Sequence, residues 1–396
     1  MSSVNPCLPP PLMTSEHGSF ARTTIIDRKP QIIRQVIEDN NFPDDVILAL
    51  KVLNEEILCH PMQPLREKSE DTTFWNEELQ RCEGSSWLDA PWYFAEAFFY
   101  RRLMEATQYF QPGMLKGIDP FLKQKQRSMD EGIEWFVKEW EYFNCQNSEC
   151  AFEALLHSCL WGNRADLSND RIYETMRSGI NVRNERHMIL IDHSKEVLDL
   201  LQNGVKRVDF FNDNVGKELF YDLAFVDFLL AEGWVGQIIL HLKEYPFFVS
   251  DAMPKDVTKS IRQLRTSGLR LTKQLGERLE NYLRVGKLKL AHESFWTTCL
   301  MFRQMPINLR EDLAKSALVL VKGDVNYRRI LDDRHWPYTT PLTDIAGYFP
   351  TSFVALRTLK GEILAGLNEG MAEEIQKEDP NWLIDGKRGI IQLFKR

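Results

Sequence analysis

No apolar run of about 18 residues occurs in the 396-residue chain, so no membrane-spanning helix is expected. Cysteine is sparse and unpatterned. The seven residues are an odd number, Cys145 and Cys150 are too far apart for a CxxC pair, and no second close pair exists. That spacing argues against a zinc ribbon and for free thiols in a reducing intracellular compartment, cytoplasmic and open to the nucleus. The eight histidines show no HxxxH or HxH spacing, which removes the usual zinc-hydrolase arrangement. Glycine-rich loops are missing too: no GxxxxGK(S/T), no GxGxxG after a strand, and no GxSxG. P-loop, dinucleotide and nucleophile-elbow chemistry are thereby excluded, together with the usual S-adenosylmethionine loop. The absence of DxDxT removes the aspartyl-nucleophile phosphatases. Positive charge is in deficit, with a net charge of −8, which argues against a nucleic-acid binder. A phosphorylated small molecule stays open, because a few local cations or a metal outweigh a weak global field.

What is present is ordinary globular composition, 43% hydrophobic and 27% charged. Met1–His17 holds Pro9, Pro10 and Pro11 without a charged-then-apolar pattern and is expected as a disordered tail, residues 1–17. Residues 18–184 read as a mostly helical domain. "TTIIDRKPQIIRQVIEDN" sets Ile32, Ile33, Val36 and Ile37 on one face, and "WLDAPWYFAEAFFYRRLMEA" offers Asp89 as N-cap. Residues 185–396 change character. Strand candidates Lys206–Asp213, Gly236–Glu244, Lys287–Ser294 and Ala317–Lys322 alternate with helices at Gly216–Gly233 and, as one long helix, Lys255–Arg284. Alternation of this kind predicts an α/β/α sandwich on a mainly parallel sheet, with the helical domain packed on it. Ligands of such sheets bind at the carboxyl ends of the strands.

Three strand ends carry the chemistry. The first gives Asp213 and Asn214, the second Asp251 in "YPFFVSDAMPKD", and the third Lys322, Asp324, Asn326 and Arg328 in "LVLVKGDVNYRR". Any one of these acids alone reads as an Asx turn or a helix N-cap. Together they supply hard oxygen donors suited to Mg²⁺ or Mn²⁺, with Lys322 and Arg328 as cations for an anionic group. Glu218, in the first turn of a helix, is expected to serve only the helix dipole, and Asp227 to be solvated. Asn163, Arg164 and Asp166 in "LWGNRADLS" are candidate substrate-facing groups or simply a turn. Arg357, Thr358 and Lys360 in "RTLK" read as cations at a helix start, a placement that the dipole disfavours unless an anion joins them.

"FFNDNVGKEL", "FFVSDAMPKD", "VKGDVNYRRILDDRHW" and "RTLK", with the earlier "GSFARTTIIDRKPQII", "YFAEAFFYRRL" and "LWGNRADLS", resemble the metal-dependent damage-control phosphatase family. Within it they are most similar to the third subfamily, the sugar phosphate phosphatases, whose RTxK motif "RTLK" matches. The likeness runs from about Gly18 to Leu393. It implies a divalent metal (Mn²⁺, Ni²⁺, Co²⁺ or Mg²⁺) on Asp213, Asn214 and Asp251. It also implies substrate contacts on Asp213, Asn214, Asp324, Val325, Asn326, Tyr327, Arg328 and Lys360, to which the sequence reading adds Asn163 and Asp166.

The expected function is therefore hydrolysis of a small sugar phosphate such as fructose 1-phosphate or fructose 6-phosphate. Asp213 or Asp251 would act as ligand or as base, and Lys360 and Arg328 would face the phosphoryl oxygens. No nucleic acid or membrane is expected as partner. Two rivals are an S-adenosylmethionine-dependent methyltransferase acting on protein carboxylates, a name one member of the family has carried, and a non-catalytic sugar-phosphate sensor.

Overall fold

The computed structural model describes residues 8–82, 86–141, 147–162 and 186–396. A helical turn at Phe20–Thr23 runs through a π-helical stretch, Thr24–Arg28, into α1 (Lys29–Asp39); α2 (Asp44–Cys59), α3 (Thr72–Arg81) and α4 (Trp92–Ala106) follow. Then come α5 (Leu122–Glu141), α6 (Ser148–Trp161), β1 (Ile189–Asp192), α7 (Ser194–Leu201), β2 (Val205–Phe211), α8 (Lys217–Ala231) and β3 (Val235–His241). The remainder is α9 (Pro254–Thr266), α10 (Arg270–Arg284), β4 (Leu288–Ala291), α11 (Ile307–Leu313), β5 (Leu318–Lys322), α12 (Gly323–Ile330), α13 (Leu342–Ala346), β6 (Phe353–Thr358), α14 (Met371–Glu378) and β7 (Gly389–Phe394).

The strands form one sheet of order β1-β7-β6-β5-β2-β3-β4. Strands β6, β5, β2, β3 and β4 run parallel; β7 is antiparallel to β6, and β1 is parallel to β7. The expected mainly parallel α/β architecture is present, with an added pair of reversed strands. Successive side chains point to opposite faces of a strand. Val208, Phe210, Leu318, Leu320, Val354 and Leu356 therefore enter one core with α5, α6 and α8. Phe211, Val319, Val321, Phe353 and Ala355 enter the other, with Trp296, Phe302 and Phe349. A third core, residues between Leu12 and Phe121 joined by Tyr245, Phe247 and Cys299, belongs to the helical cap.

Four sequence expectations change here. Within the first half of the chain the cap core extends only to Phe121, and Met129 to Trp161 of α5 and α6 pack in the sandwich, so the cores do not divide at residue 184. Residues 8–17 are docked rather than a loose tail: the Leu12 N–H donates to Asp333 O at 2.9 Å, and the Trp92 N–H donates to Leu12 O at 2.8 Å. The expected long helix breaks between Thr266 and Arg270, where Ser267 and Gly268 interrupt it. Pro91, not Asp89, is the N-cap of α4.

Phe211, 1% exposed, is the aromatic hub beneath the carboxyl end of β2, with its ring centroid 4.5 Å from Trp296, 5.3 Å from His241 and 5.4 Å from Phe302. Phe211→Ala removes that hub and leaves a cavity, with an expected loss of about 3–5 kcal/mol. Urea unfolding of the variant against the parent measures it.

Candidate active site

Because β2, β3, β5 and β6 are parallel, the segments that leave their carboxyl ends meet at one edge of the sheet. Asn212, Asp213 and Asn214 leave β2, and the loop after β3 returns Asp251 beside them through an antiparallel bridge between Asn214 and Asp251. The Ala252 N–H donates to Asp213 O at 2.9 Å, and the Val215 N–H to Ser250 O at 2.8 Å. Asp213 and Asp251 are 6% and 2% exposed. Gly323 opens α12 directly against Asp213: at φ +83° its α-carbon lies so close that a side chain there would collide with the Asp213 carboxylate. Only glycine permits both the left-handed backbone and that approach.

Charge is concentrated at this edge. Burial, then Glu218 and Asp251, push the Asp213 carboxyl well above its ordinary value, against Lys322 and Lys360. Burial pushes Asp251 up to about 7, with Lys243 and Lys125 opposing. The Lys243 ammonium lies 3.3 Å from Asp251 Oδ2, yet that oxygen has no hydrogen-bond donor. Lys125, reaching in from α5, donates to the Asp251 carbonyl at 2.8 Å and to Asp256 at 3.2 Å.

Lys322 has a different role from the one its position suggested. Its ammonium, 1% exposed, donates to Cys159 O at 2.7 Å, Asp222 Oδ1 at 2.8 Å and Glu218 Oε1 at 2.9 Å. Burial disfavours its charge, yet Asp222 and Glu218 hold it above the ordinary lysine range. It is an internal counter-ion with no donor left for substrate. Glu218 correspondingly does more than serve a dipole: its Oε2 accepts from Asn214 Nδ2 at 3.1 Å. Asp227 is buried and paired with Arg278 through bonds of 2.7 and 2.8 Å, not solvated.

The third segment separates into two kinds of residue. Asp324, 18% exposed at its side chain, and the half-buried Val325 stand at the start of α12, whose first N–H groups have no intrahelical partner. Asn326, Tyr327 and Arg328 are turned inward. Asn326 Nδ2 donates to Lys322 O at 2.8 Å, and the Tyr327 hydroxyl donates to Gln392 Oε1 at 3.0 Å. The fully buried Arg328 bonds Asp324 at 2.6 Å and Asp333 at 2.8 Å, and lies 4.1 Å from the Trp92 ring centre. Burial raises the Asp324 carboxyl, but Arg328 and Arg357 outweigh it and hold it well below the usual carboxylate range. Arg328 thus reaches two protein carboxylates, and the Tyr327 side chain reaches the core. "RTLK" is not a helix start: Arg357 and Thr358 end β6, and the half-buried Lys360 follows in the loop. Asn163 and Asp166 lie outside the described residues.

The donors fit a hard divalent cation. Asp251 Oδ2 is a buried oxygen without a donor, the Asp213 carboxylate is crowded by acids, and the Asn214 amide oxygen accepts only Ser250 Oγ, at 2.5 Å. Among the described residues no cluster of three His, Cys, Asp or Glu side chains forms a metal cage, and the set here includes an amide. Sequence reasoning missed Lys125 and Lys243 as parts of this edge. Lys125 lies in α5 and Lys243 in the loop after β3, places where a lone cation reads as surface charge.

A family model described as the damage-control phosphatase ARMT1-like domain matches residues 24–375. The protein named damage-control phosphatase ARMT1 from Mus musculus is 32% identical, over 96% of this chain and 98% of its own. Its Homo sapiens counterpart is 31% identical, over 97% and 98%. The crystal structure of a DUF89 family protein from Pyrococcus horikoshii is similar in fold, with a TM-score of 0.52 at 12% identity, covering 94% of this chain and 96% of that one.

Asp222 allows a test of this electrostatic account. Burial raises its carboxyl to about 6 despite Lys322. Below an unfolded value of about 4 the group is protonated in both states, and above about 6 it is ionised in both. Between them the folded state holds more proton, so this group's contribution to stability declines as pH rises. Asp222→Asn removes that decline. Relative to the parent, the variant's unfolding free energy should rise by roughly 1–3 kcal/mol from pH 4 to 6, measured by urea titration at each pH.

Proposed function

The chain belongs to the ARMT1-like damage-control phosphatase family, and from that premise we propose that it hydrolyses small sugar phosphates, with fructose 1-phosphate and fructose 6-phosphate as the first candidates. The observation that carries the reading is the meeting of Asp213, Asn214 and Asp251 with the motif lysine, Lys360, whose charge is felt at Asp213.

Asp213, Asn214 and Asp251 would hold a divalent cation, Mn²⁺, Ni²⁺, Co²⁺ or Mg²⁺. Such a cation supplies Lewis-acid polarisation of a phosphoryl oxygen and a water of lowered pKa. The protein's own groups do the rest. Lys360 faces the phosphoryl oxygens and offsets their charge as the leaving oxygen departs. The N–H groups of Asp324 and Val325, at the start of α12, orient the same oxygens. Asp213 stands by Lys360 and serves as ligand or as base. Lys322 and Lys243 stay behind these acids and keep them in place.

No helix among the described residues is long and apolar enough to cross a membrane. We place the enzyme in a reducing compartment, cytoplasmic or nuclear, on the free thiols of Cys59, Cys159 and Cys299.

Phosphate release from a panel of phosphorylated metabolites, with Mg²⁺, Mn²⁺, Co²⁺ and Ni²⁺ in parallel, tests the reading. Chelation should abolish turnover, metal should restore it, and S-adenosylmethionine should have no effect. Lys360→Ala should lower kcat/KM by about 10²–10³ while Mn²⁺ affinity, read by calorimetry, is unchanged. Full activity after metal stripping overturns the proposal. Carboxylate methylation that requires S-adenosylmethionine favours the transferase, and phosphate-ester binding without turnover favours the sensor.

A further inference from the structure

Arg357 is fully buried and reaches no open surface. Its guanidinium is nonetheless committed on all sides. Nε donates to Asp324 Oδ1 at 2.7 Å, Nη1 to the Ile363 carbonyl, and Nη2 to the Gly361 carbonyl at 3.1 Å. Its plane lies 4.6 Å from the centre of the Tyr327 ring. The two carbonyls it holds lie just beyond Lys360 in the chain.

The other side of the same loop is fixed independently. Gly361 packs on Arg328: a side chain at Gly361 would collide with Arg328 Nη2, which Asp324 and Asp333 hold in place. The Gly361 N–H donates to Leu383 O at 2.9 Å, the Leu359 N–H to Arg388 O at 2.8 Å, and Glu362 Oε1 accepts from the Phe20 N–H at 3.0 Å. The backbone around Lys360 is therefore cast between two arginines that share one carboxylate, Asp324.

We propose that Arg357 is a positioning residue for catalysis: it acts through Lys360, by fixing the loop that presents that ammonium, and not by touching substrate. This rests on the phosphatase reading above. A planar, five-donor guanidinium can bridge a carboxylate and two carbonyls at once, whereas an ammonium at the same place keeps the charge but not the bridge. Displacing a catalytic donor by about 1 Å is enough to cost on the order of 10²-fold in rate.

The test is a double-mutant cycle in kcat/KM between Arg357→Lys and Lys360→Ala, with Mn²⁺ affinity measured by calorimetry for each protein. Arg357→Lys alone should lower kcat/KM by about 10- to 100-fold. In the Lys360→Ala background the same change should cost less than about threefold, and Mn²⁺ affinity should hold in all four proteins. Should Arg357→Lys not fold, Gly361→Ala displaces the loop from the Arg328 side, and the same non-additivity is expected. Equal losses in the two backgrounds, or Mn²⁺ affinity falling with Arg357→Lys, overturn this proposal and leave the phosphatase reading standing. Lys360→Ala with unchanged kcat/KM overturns both.

Discussion

Four acids, Asp213, Glu218, Asp222 and Asp251, are buried together at the carboxyl edge of the sheet, each no more than 6% exposed. Each buried ion costs several kcal/mol of desolvation unless it is paired, so the edge exists only because buried ammoniums stand behind it. Lys322 arrives from β5 and draws Glu218 and Asp222 of α8 together. Lys243 follows β3 and meets Asp251, and Lys125 comes from α5 to hold the Asp251 carbonyl and Asp256. Every one of these lysines spans different elements, so the pairing that makes the charge tolerable also fixes how β5, α8, α5 and the β3 loop sit relative to one another. Burial still outweighs these cations at Asp213 and Asp251, whose carboxyls are both raised above their ordinary values.

A second ionic layer, built from arginine, adjoins the first. Asp333, Arg328, Asp324 and Arg357 form an unbroken chain, with the Asp324 carboxyl held ionised by both guanidiniums. The lysine layer offsets the charge of the buried acids, whereas the arginine layer shapes the backbone that carries the half-buried Lys360. The difference follows from the side chains: an ammonium is a compact point charge, and a guanidinium is a flat fork that can join several groups in one plane.

Much of this was legible in the sequence because periodicity and strand ends are local properties. The alternation that buries Val208 and Phe210 on one face and Phe211 on the other is visible in "RVDFF", and the Asp-Asn end of β2 stands out against it. β1, at four residues, is too short to show alternation, and β6 and β7 are apolar on both faces and carry little of it. The second reason for failure is that the identity of a charged residue does not reveal its partner. Arg328 and Lys322 were expected to meet substrate because they follow a strand end; both turn inward because Asp333 and α8 place acids there. Lys125 meets the nearby Asp119 at 3.4 Å, but the partners that bring it to this edge, Asp251 and Asp256, are 126 and 131 residues away.

The loop that brings Asp251 to the edge also joins two hydrophobic cores. Leu242 and Ala252 belong to the sandwich core, whereas Tyr245 and Phe247 are buried in the cap core, so the chain crosses from one to the other and back within eleven residues. On the return, Phe248 and Val249 take φ of +51° and +50°. Left-handed backbone is costly for a β-branched residue, on the order of 1–3 kcal/mol at each such position. Phe248 is held by rings on several sides, with centroids 4.8 Å from Phe247, 5.0 Å from Tyr100 and 6.3 Å from Tyr93. The turn therefore persists because the cap grips it, and Lys125 adds a bond to the carbonyl of the very residue that follows Ser250. Asp251 is set where it is by cap and sandwich jointly. Asp213, at the end of β2 and against Gly323, is tied to the same loop by the Ala252 N–H bond to its carbonyl.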